Sequence, residues 1–400
     1  MAYTPSATVL DNYARVLVDY ALNRGRGVKK GQTVFLQVPE SAKPLMLALN
    51  RRILASGAHP LIQYLPDGVQ KDFYNLAQDH QLMYFPHQYL QGRVRQADHF
   101  LSVIAETDKH ELEGIDPQKI IRHNLAFKPY IDWRQQKEAK GKLSWTLGLY
   151  PTQAMADEAG LSLVSCWHQV IRACFLDYAD PIAKWQRVQT KIEATKKTLN
   201  SLPVTSLRLQ AKNTDLTIGL DSTRRWLGGD GCNIPSFEIF ISPDWRRTQG
   251  QIYFDMPLYR YGHLIKDITL NFKDGLVTSA TASQGQTMLR EIISAVNADK
   301  VGEFSLTDRR LSRINKFMAE TLYDENFGGD NGNVHLALGS SFSDSYTGQS
   351  MSLTESQWQG LGFNQSAIHT DIIATTPRTV TATLKDGTKK LIYHQGRFVD

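Results

Sequence analysis

The sequence predicts two domains, an α/β N-terminal domain with an open parallel-type sheet followed by an α+β, sheet-rich C-terminal domain. Three observations predict this. Helix-type and strand-type segments alternate through the first half, the texture changes to short β-type runs after about residue 200, and 400 residues with 42% hydrophobic content suffice for two packed cores.

Residues 8 to 24 place Val9, Leu10, Tyr13, Val16, Leu17, Tyr20 and Ala21 at helical spacing. The run KKGQTVFLQVP then reads as a turn leading into a buried strand. Pro44 stands where a first helical turn tolerates a missing N–H, which predicts a helix through Ala55 that Gly57 ends, and HPLIQYL follows as the second strand. Two further strand-type runs, 98 to 105 and 142 to 151, extend the same sheet. From about Asp157 to Asn200 the chain is rich in Ala, Lys and Gln and reads as mostly helical, ending at NSLPV. The domains are therefore expected at 1–200, with a helical linker segment at its end, and 201–400. Beyond the boundary SLRLQA, DLTIGL, QIYFDM, LIKDITLNF, GLVTSATA, TVTATL and KKLIYH read as strands separated by Gly, Asp and Pro. Two helices are expected among them, TMLREIISAV and DRRLSRINKFMAETL.

Composition excludes several classes of function. Forty-five basic against 40 acidic side chains leave +5, mixed along the chain instead of gathered into a stripe, which speaks against nucleic acid as a partner. Cys166, Cys174 and Cys232 are odd in number and lack CxxC spacing, so reduced thiols and a cytoplasmic location are expected. No stretch of 18 apolar residues and no basic-then-apolar leader appears, so no membrane association is expected. The motifs of P-loop enzymes, α/β-hydrolases and EF-hands are absent, and GGDG at 228 to 231 lacks dinucleotide-turn spacing. Seven of the eleven histidines fall in the first half without a second histidine at ligand spacing, and read as surface or hydrogen-bonded residues.

What remains is a set of acids and imidazoles inside apolar runs of the second half. Burying such groups unpartnered costs several kcal/mol or forces them neutral. His369 and Asp371 are two apart in a strand-type run, so both point to one face and can reach one centre. His335 shares its face with Ala337 and Gly339, which leaves room beside the ring, although a core histidine bonded to backbone fits the same pattern. Glu238 sits among Phe237, Ile239, Phe240 and Ile241 and reads either as a ligand or as a water-facing residue of an edge strand. Glu303 reads as a loop carboxylate ahead of a helix that begins near Asp308, with Ser305 or Thr307 as its cap. Carboxylates with two imidazoles and no thiolate suit zinc, cobalt, manganese or magnesium.

These segments resemble the metalloaminopeptidase family of the aminopeptidase T, aminopeptidase S and PepS type. The likeness runs almost end to end, through VKKGQTVFLQVP, ASGAHPL, YPTQAMADEAG, DPIAKWQ, NIPSFEIFISPDWRRTQGQIYFDMPLYRYG, GEFSLTDRRLSRINKFMAETLYDENFGG, GNVHLALG and IHTDI. The resemblance implies a metallopeptidase domain in the second half and an exopeptidase with two divalent metal ions that acts on short peptides with a free N-terminus, as a homodimer. It implies Glu238, Glu303, His335, His369 and Asp371 as metal ligands, Glu303 bridging both ions, and Glu325 of the DEN segment as a further carboxylate near them. One position departs from it. The family places a tyrosine seven residues after the histidine of HxAxG, where this chain has Phe342, and Tyr346 in FSDSY is the substitute hydroxyl to consider beside a plain packing role. The departure leaves a second reading, a metal-binding homologue with weak or no catalysis that binds peptides.

Overall fold

The computed structural model describes residues 3–260, 263–349 and 353–399. The chain forms two compact units, Met1–Gln186 with Asp230–Pro235, and Arg187–Gly229 with Ser236–Asp400.

The first unit is an α/β layer. Strands β1 (Thr33–Pro39), β2 (His59–Leu65), β3 (His99–Ile104) and β4 (Ser144–Leu149) form a parallel sheet in the order β2-β1-β3-β4, as expected of helix and strand in alternation. The register aligns Leu61, Phe35, Phe100 and Trp145 in one row across the sheet. Phe35 and Phe100 pack with Leu90, Val94, Ala97, Tyr130 and Leu143 into a core on that face. On the other side of the layer the buried Tyr13 phenol both accepts from Leu149 N (2.8 Å) and donates to Leu149 O (3.1 Å), which pins the N-terminal helix Ala7–Arg15 to the end of β4. Residues 230 to 235 return to this unit, where Leu147 N donates to Cys232 O at 2.9 Å. None of the three cysteines is in a disulfide.

His99, at the start of β3, is 3% exposed and fully partnered. Its Nδ1 lies 2.8 Å from Ser144 Oγ and its Nε2 3.0 Å from Gln32 Oε1, an arrangement that suits a neutral ring accepting from the hydroxyl and donating to the amide oxygen. Burial pushes the imidazole from 6.5 down to about 4. The folded ring therefore resists a proton that the unfolded chain accepts, so its contribution is complete above pH 6.5 and is lost as the pH falls toward 4. That loss is about 3 kcal/mol. Urea midpoints of wild type and His99→Gln, followed from pH 7 to 4, are expected to converge by that amount; parallel curves would show that the ring is already charged in the fold.

The second unit is antiparallel. Its larger sheet comprises β5 (Val204–Ala211), β6 (Thr214–Gly219), β8 (Asp244–Phe254), β11 (Ile268–Lys273), β12 (Leu276–Thr281), β16 (Arg378–Leu384), β17 (Lys389–His394) and β18 (Arg397–Phe398). A smaller sheet runs β15-β14-β13-β7, from His369–Ala374, Asn333–Gly339, Val301–Thr307 and Glu238–Ile241. The strands β9 (Leu258–Arg260) and β10 (His263–Ile265) form a separate pair.

One expected helix is present, at Gln286–Ser294. The other is not. Residues 308 to 320 have no regular helix, because side chains and a neighbouring segment take over the backbone groups that a helical ladder would use. Asp324 accepts from Met318 N (2.7 Å) and Glu320 N (3.0 Å), Asp308 accepts from Arg310 N, and Ile314 O accepts from Gly328 N and Gly329 N. Ser305 and Thr307 accordingly cap nothing and lie in β13.

Candidate metal centre

Strand register brings the five expected ligands to one face of the smaller sheet. Glu303 on β13 lies opposite Ala337 on β14, which in turn lies opposite Asp371 on β15. In neighbouring rows His335 faces Ser305, Glu238 faces Thr307, and His369 faces Gly339. Directly opposed residues, and alternate residues along a strand, project to the same side. The other side carries Ile239, Phe304, Leu306, Leu336, Leu338 and Ile372, each at most 0% exposed. Burying that aliphatic face fixes the register, and a slip of one residue would turn every ligand into the core.

Glu303 is therefore not a loop residue. It sits within a strand whose seven residues are all buried, and is itself 3% exposed. Glu238 is on an edge strand, but its side chain does not face water, being 8% exposed.

The polar atoms converge. His335 Nε2 lies 3.3 Å from Glu238 Oε2, 3.4 Å from Glu303 Oε1 and 4.0 Å from Asp371 Oδ1. His369 Nε2 lies 3.2 Å from Glu303 Oε2 and 3.4 Å from Asp371 Oδ1. Two triads result, Glu238–Glu303–His335 and Glu303–His369–Asp371, with the ligand atoms of each within 4.8 Å of one another. Glu303 belongs to both, one oxygen toward each imidazole.

The donor set fits divalent cations. His369 Nδ1 is 2.9 Å from the carbonyl oxygen of Ser340, which can only accept, so Nδ1 carries a proton and Nε2 is the atom left to bind a cation among the carboxylates. The Ser340 carbonyl is a partner that local sequence reading did not find; only the small residues of GSS after the HLALG strand hint at so close an approach. His335 Nδ1 is buried with no hydrogen-bond partner among the described residues, while its Nε2 faces the acids. With protein groups alone, desolvation lowers both imidazole pKa values, yet the adjoining carboxylates outweigh it and hold both well above the ordinary histidine range. Desolvation raises Glu303 and Asp371, but the imidazoles overcome it and hold both carboxyls low. The two imidazoles thus retain protons that a bound divalent ion would displace.

Three other expected residues take distinct positions. Glu325 is buried beside this cluster but lies in neither triad. Burial first, and then the charges of Glu238 and Asp371, push its carboxyl well above the usual carboxylate range. Asn326, a connector that sequence reading missed, donates from Nδ2 toward Glu325 Oε1 at 3.4 Å and accepts from Phe237 N at 2.6 Å, joining that carboxylate to the start of β7. Phe342 lies with its ring centroid 5.0 Å from the His369 ring and 5.2 Å from Phe240, and is 41% exposed. The Tyr346 ring packs edge-on against Trp358 and Phe363, at 5.5 and 6.0 Å.

Comparison with known proteins agrees with this arrangement of strands. Residues 6–398 match the thermophilic metalloprotease (M29) family. Aminopeptidase PepS of Streptococcus thermophilus is 26% identical, over 98% of this chain and 98% of its own length. Aminopeptidase T of Thermus aquaticus is 24% identical, over 96% of this chain and 97% of its own. Among solved structures, wild-type AmpT from Thermus thermophilus superposes with a TM-score of 0.83 at 23% identity, covering 98% of this chain and 99% of that one, a likeness of fold.

Proposed function

The chain belongs to the thermophilic metalloprotease (M29) family and is a metalloaminopeptidase, a hydrolase of the exopeptidase class, and from that premise we propose that it removes N-terminal residues from short peptides at a two-metal centre. The observation that carries this reading is Glu303, shared by two triads through separate oxygens. Glu238 and His335 would hold one ion, His369 and Asp371 the other, and Glu303 both. When bound, such ions polarise the scissile carbonyl and lower the pKa of water.

The protein's own groups set up the rest. Ser340 O orients the His369 ring so that Nε2, and not Nδ1, would be the atom to hold a cation. Glu325, outside both triads but within reach of the charges of Glu238 and Asp371, would be a candidate to take a proton from the attacking water and return it to the leaving amine. The free amino group of the substrate would be held by a metal ion or an acidic side chain. The family resemblance supports a homodimer, and the odd number of cysteines without CxxC spacing supports a cytoplasmic location. Among the described residues no helix is long and apolar enough to cross a membrane.

Incubation with aminoacyl-p-nitroanilides or short peptides is expected to release only N-terminal residues, to stop on treatment with a chelator, and to resume on adding zinc, cobalt, magnesium or manganese. Cleavage that is internal, or that persists after the protein is stripped of metal, would overturn the proposal.

A further inference from the structure

A second polar site lies in the first unit, at the N-terminal ends of its parallel strands. A cavity of about 460 Å³ there is lined by Arg24, Arg26, Arg95, Lys137 and Lys142, with Asp98 as its one acidic residue. These cations are scattered over more than a hundred positions, which is why the sequence shows no basic stripe; the fold gathers them. That volume is within the range of small-molecule sites and exceeds what a single phosphate would fill.

A plainer account is that the cations complement helix C-termini, where carbonyls carry partial negative charge. It explains Lys137, whose Nζ donates to Val94 O (2.9 Å), Arg95 O (3.0 Å) and Ala97 O (2.6 Å) at the end of the helix His87–Gln96. By position it also covers Arg95, in the last turn of that helix, and Arg26, which donates to a terminal carbonyl, but no hydrogen bond of Arg24, Arg95 or Lys142 to such a carbonyl is found among the described residues. Arg24, Arg26, Arg95 and Lys142 have no ion pair among the described residues, and Arg26 bonds only Asn23 O, at 3.2 Å. Asp98 is already engaged by Thr33 N at 2.8 Å.

An independent observation comes from the cavity floor. Gln32 Oε1 accepts from Lys29 N (2.7 Å) and from the buried His99 ring (3.0 Å), so the amide is held with its oxygen occupied. Its NH₂ group has no acceptor among the described residues. The site thus offers three uncommitted cations, Arg24, Arg95 and Lys142, and a fixed neutral donor, all suited to oxygen anions, and two of those cations are guanidinium forks that match phosphate in two-point contact.

We propose that this cavity binds a small polyanion bearing two or more phosphate groups, at a site separate from the metal centre. Titration calorimetry of the full chain with inorganic tripolyphosphate and with ADP, at about 50 mM ionic strength, tests it. One-to-one binding with Kd below about 1 mM is expected. The variant carrying Arg24→Ser, Arg95→Ser and Lys142→Ser is expected to bind at least about 30-fold more weakly while keeping its melting temperature and its turnover of aminoacyl-p-nitroanilide. Binding of both probes assigns the site to the phosphate chain itself, and binding of ADP alone assigns it to a nucleoside phosphate. Absence of binding in the wild type, or equal affinity in the triple variant, would overturn the proposal.

Discussion

Glu303→Gln is expected to lower kcat/KM on aminoacyl-p-nitroanilides by at least about 10³-fold, a loss of about 4 kcal/mol in transition-state stabilisation. The reason is topological. Glu303 is the one side chain common to both triads, with Oε1 toward His335 and Oε2 toward His369. An amide keeps the shape, so β13 retains its packing, but it replaces one anionic oxygen by a donor and removes the charge that two cations would share. Elemental analysis separates this from a folding defect: bound metal is expected to fall from about two ions per chain to less than one. His369→Ala disturbs only one triad and is expected to leave about one ion bound. A Glu303→Gln enzyme that keeps both ions and its turnover would sink the shared-ligand assignment.

Much of this centre is legible in the sequence, because residues two apart in a strand share a side. His369 and Asp371 at i and i+2, and His335 between small residues, are visible because alternation marks which side chains share a side. Glu303 is harder to place. Glu303 to Thr307 alternates polar and apolar residues as a strand should, but the segment after it has the composition of a helix, and Ser305 and Thr307 suit a helix cap as well as a strand. What defeats that helix lies mostly after it: Asp324 accepts from Met318 N and Glu320 N, and Ile314 O accepts from Gly328 N and Gly329 N, partners that the 308–320 window itself does not contain. Family resemblance singles out Glu303, which the local pattern reads as a loop carboxylate ahead of a helix. The parallel sheet of the first unit, by contrast, is read correctly from helix and strand alternation because each element there is contiguous and ends at Pro, Gly or a polar turn. The cations around its strand ends are illegible for the opposite reason, since their proximity depends on how the sheet and its helices assemble.

Phe342→Tyr is expected to raise kcat by about 10²-fold with little change in KM, the signature of a donor that acts on charge developing in the transition state. Its basis is position as well as resemblance. The Phe342 ring lies edge-to-face on His369, 5.0 Å between centroids, and is exposed enough to accept a hydroxyl without opening the core. Tyr346, the other candidate for that hydroxyl, has its ring packed against Trp358 and Phe363, contacts that a phenylalanine would keep. Tyr346→Phe is therefore expected to leave turnover within about twofold and stability nearly unchanged. The pair of variants discriminates by sign. A gain at 342 with silence at 346 means that this chain runs its metal centre without one preorganised donor. Silence at 342 with a loss of about 10²-fold at 346 would transfer the role to Tyr346 and overturn the expectation. Metal content must stay constant in both variants, because neither ring belongs to the triads; only then does a change in kcat report the hydroxyl and not the ions.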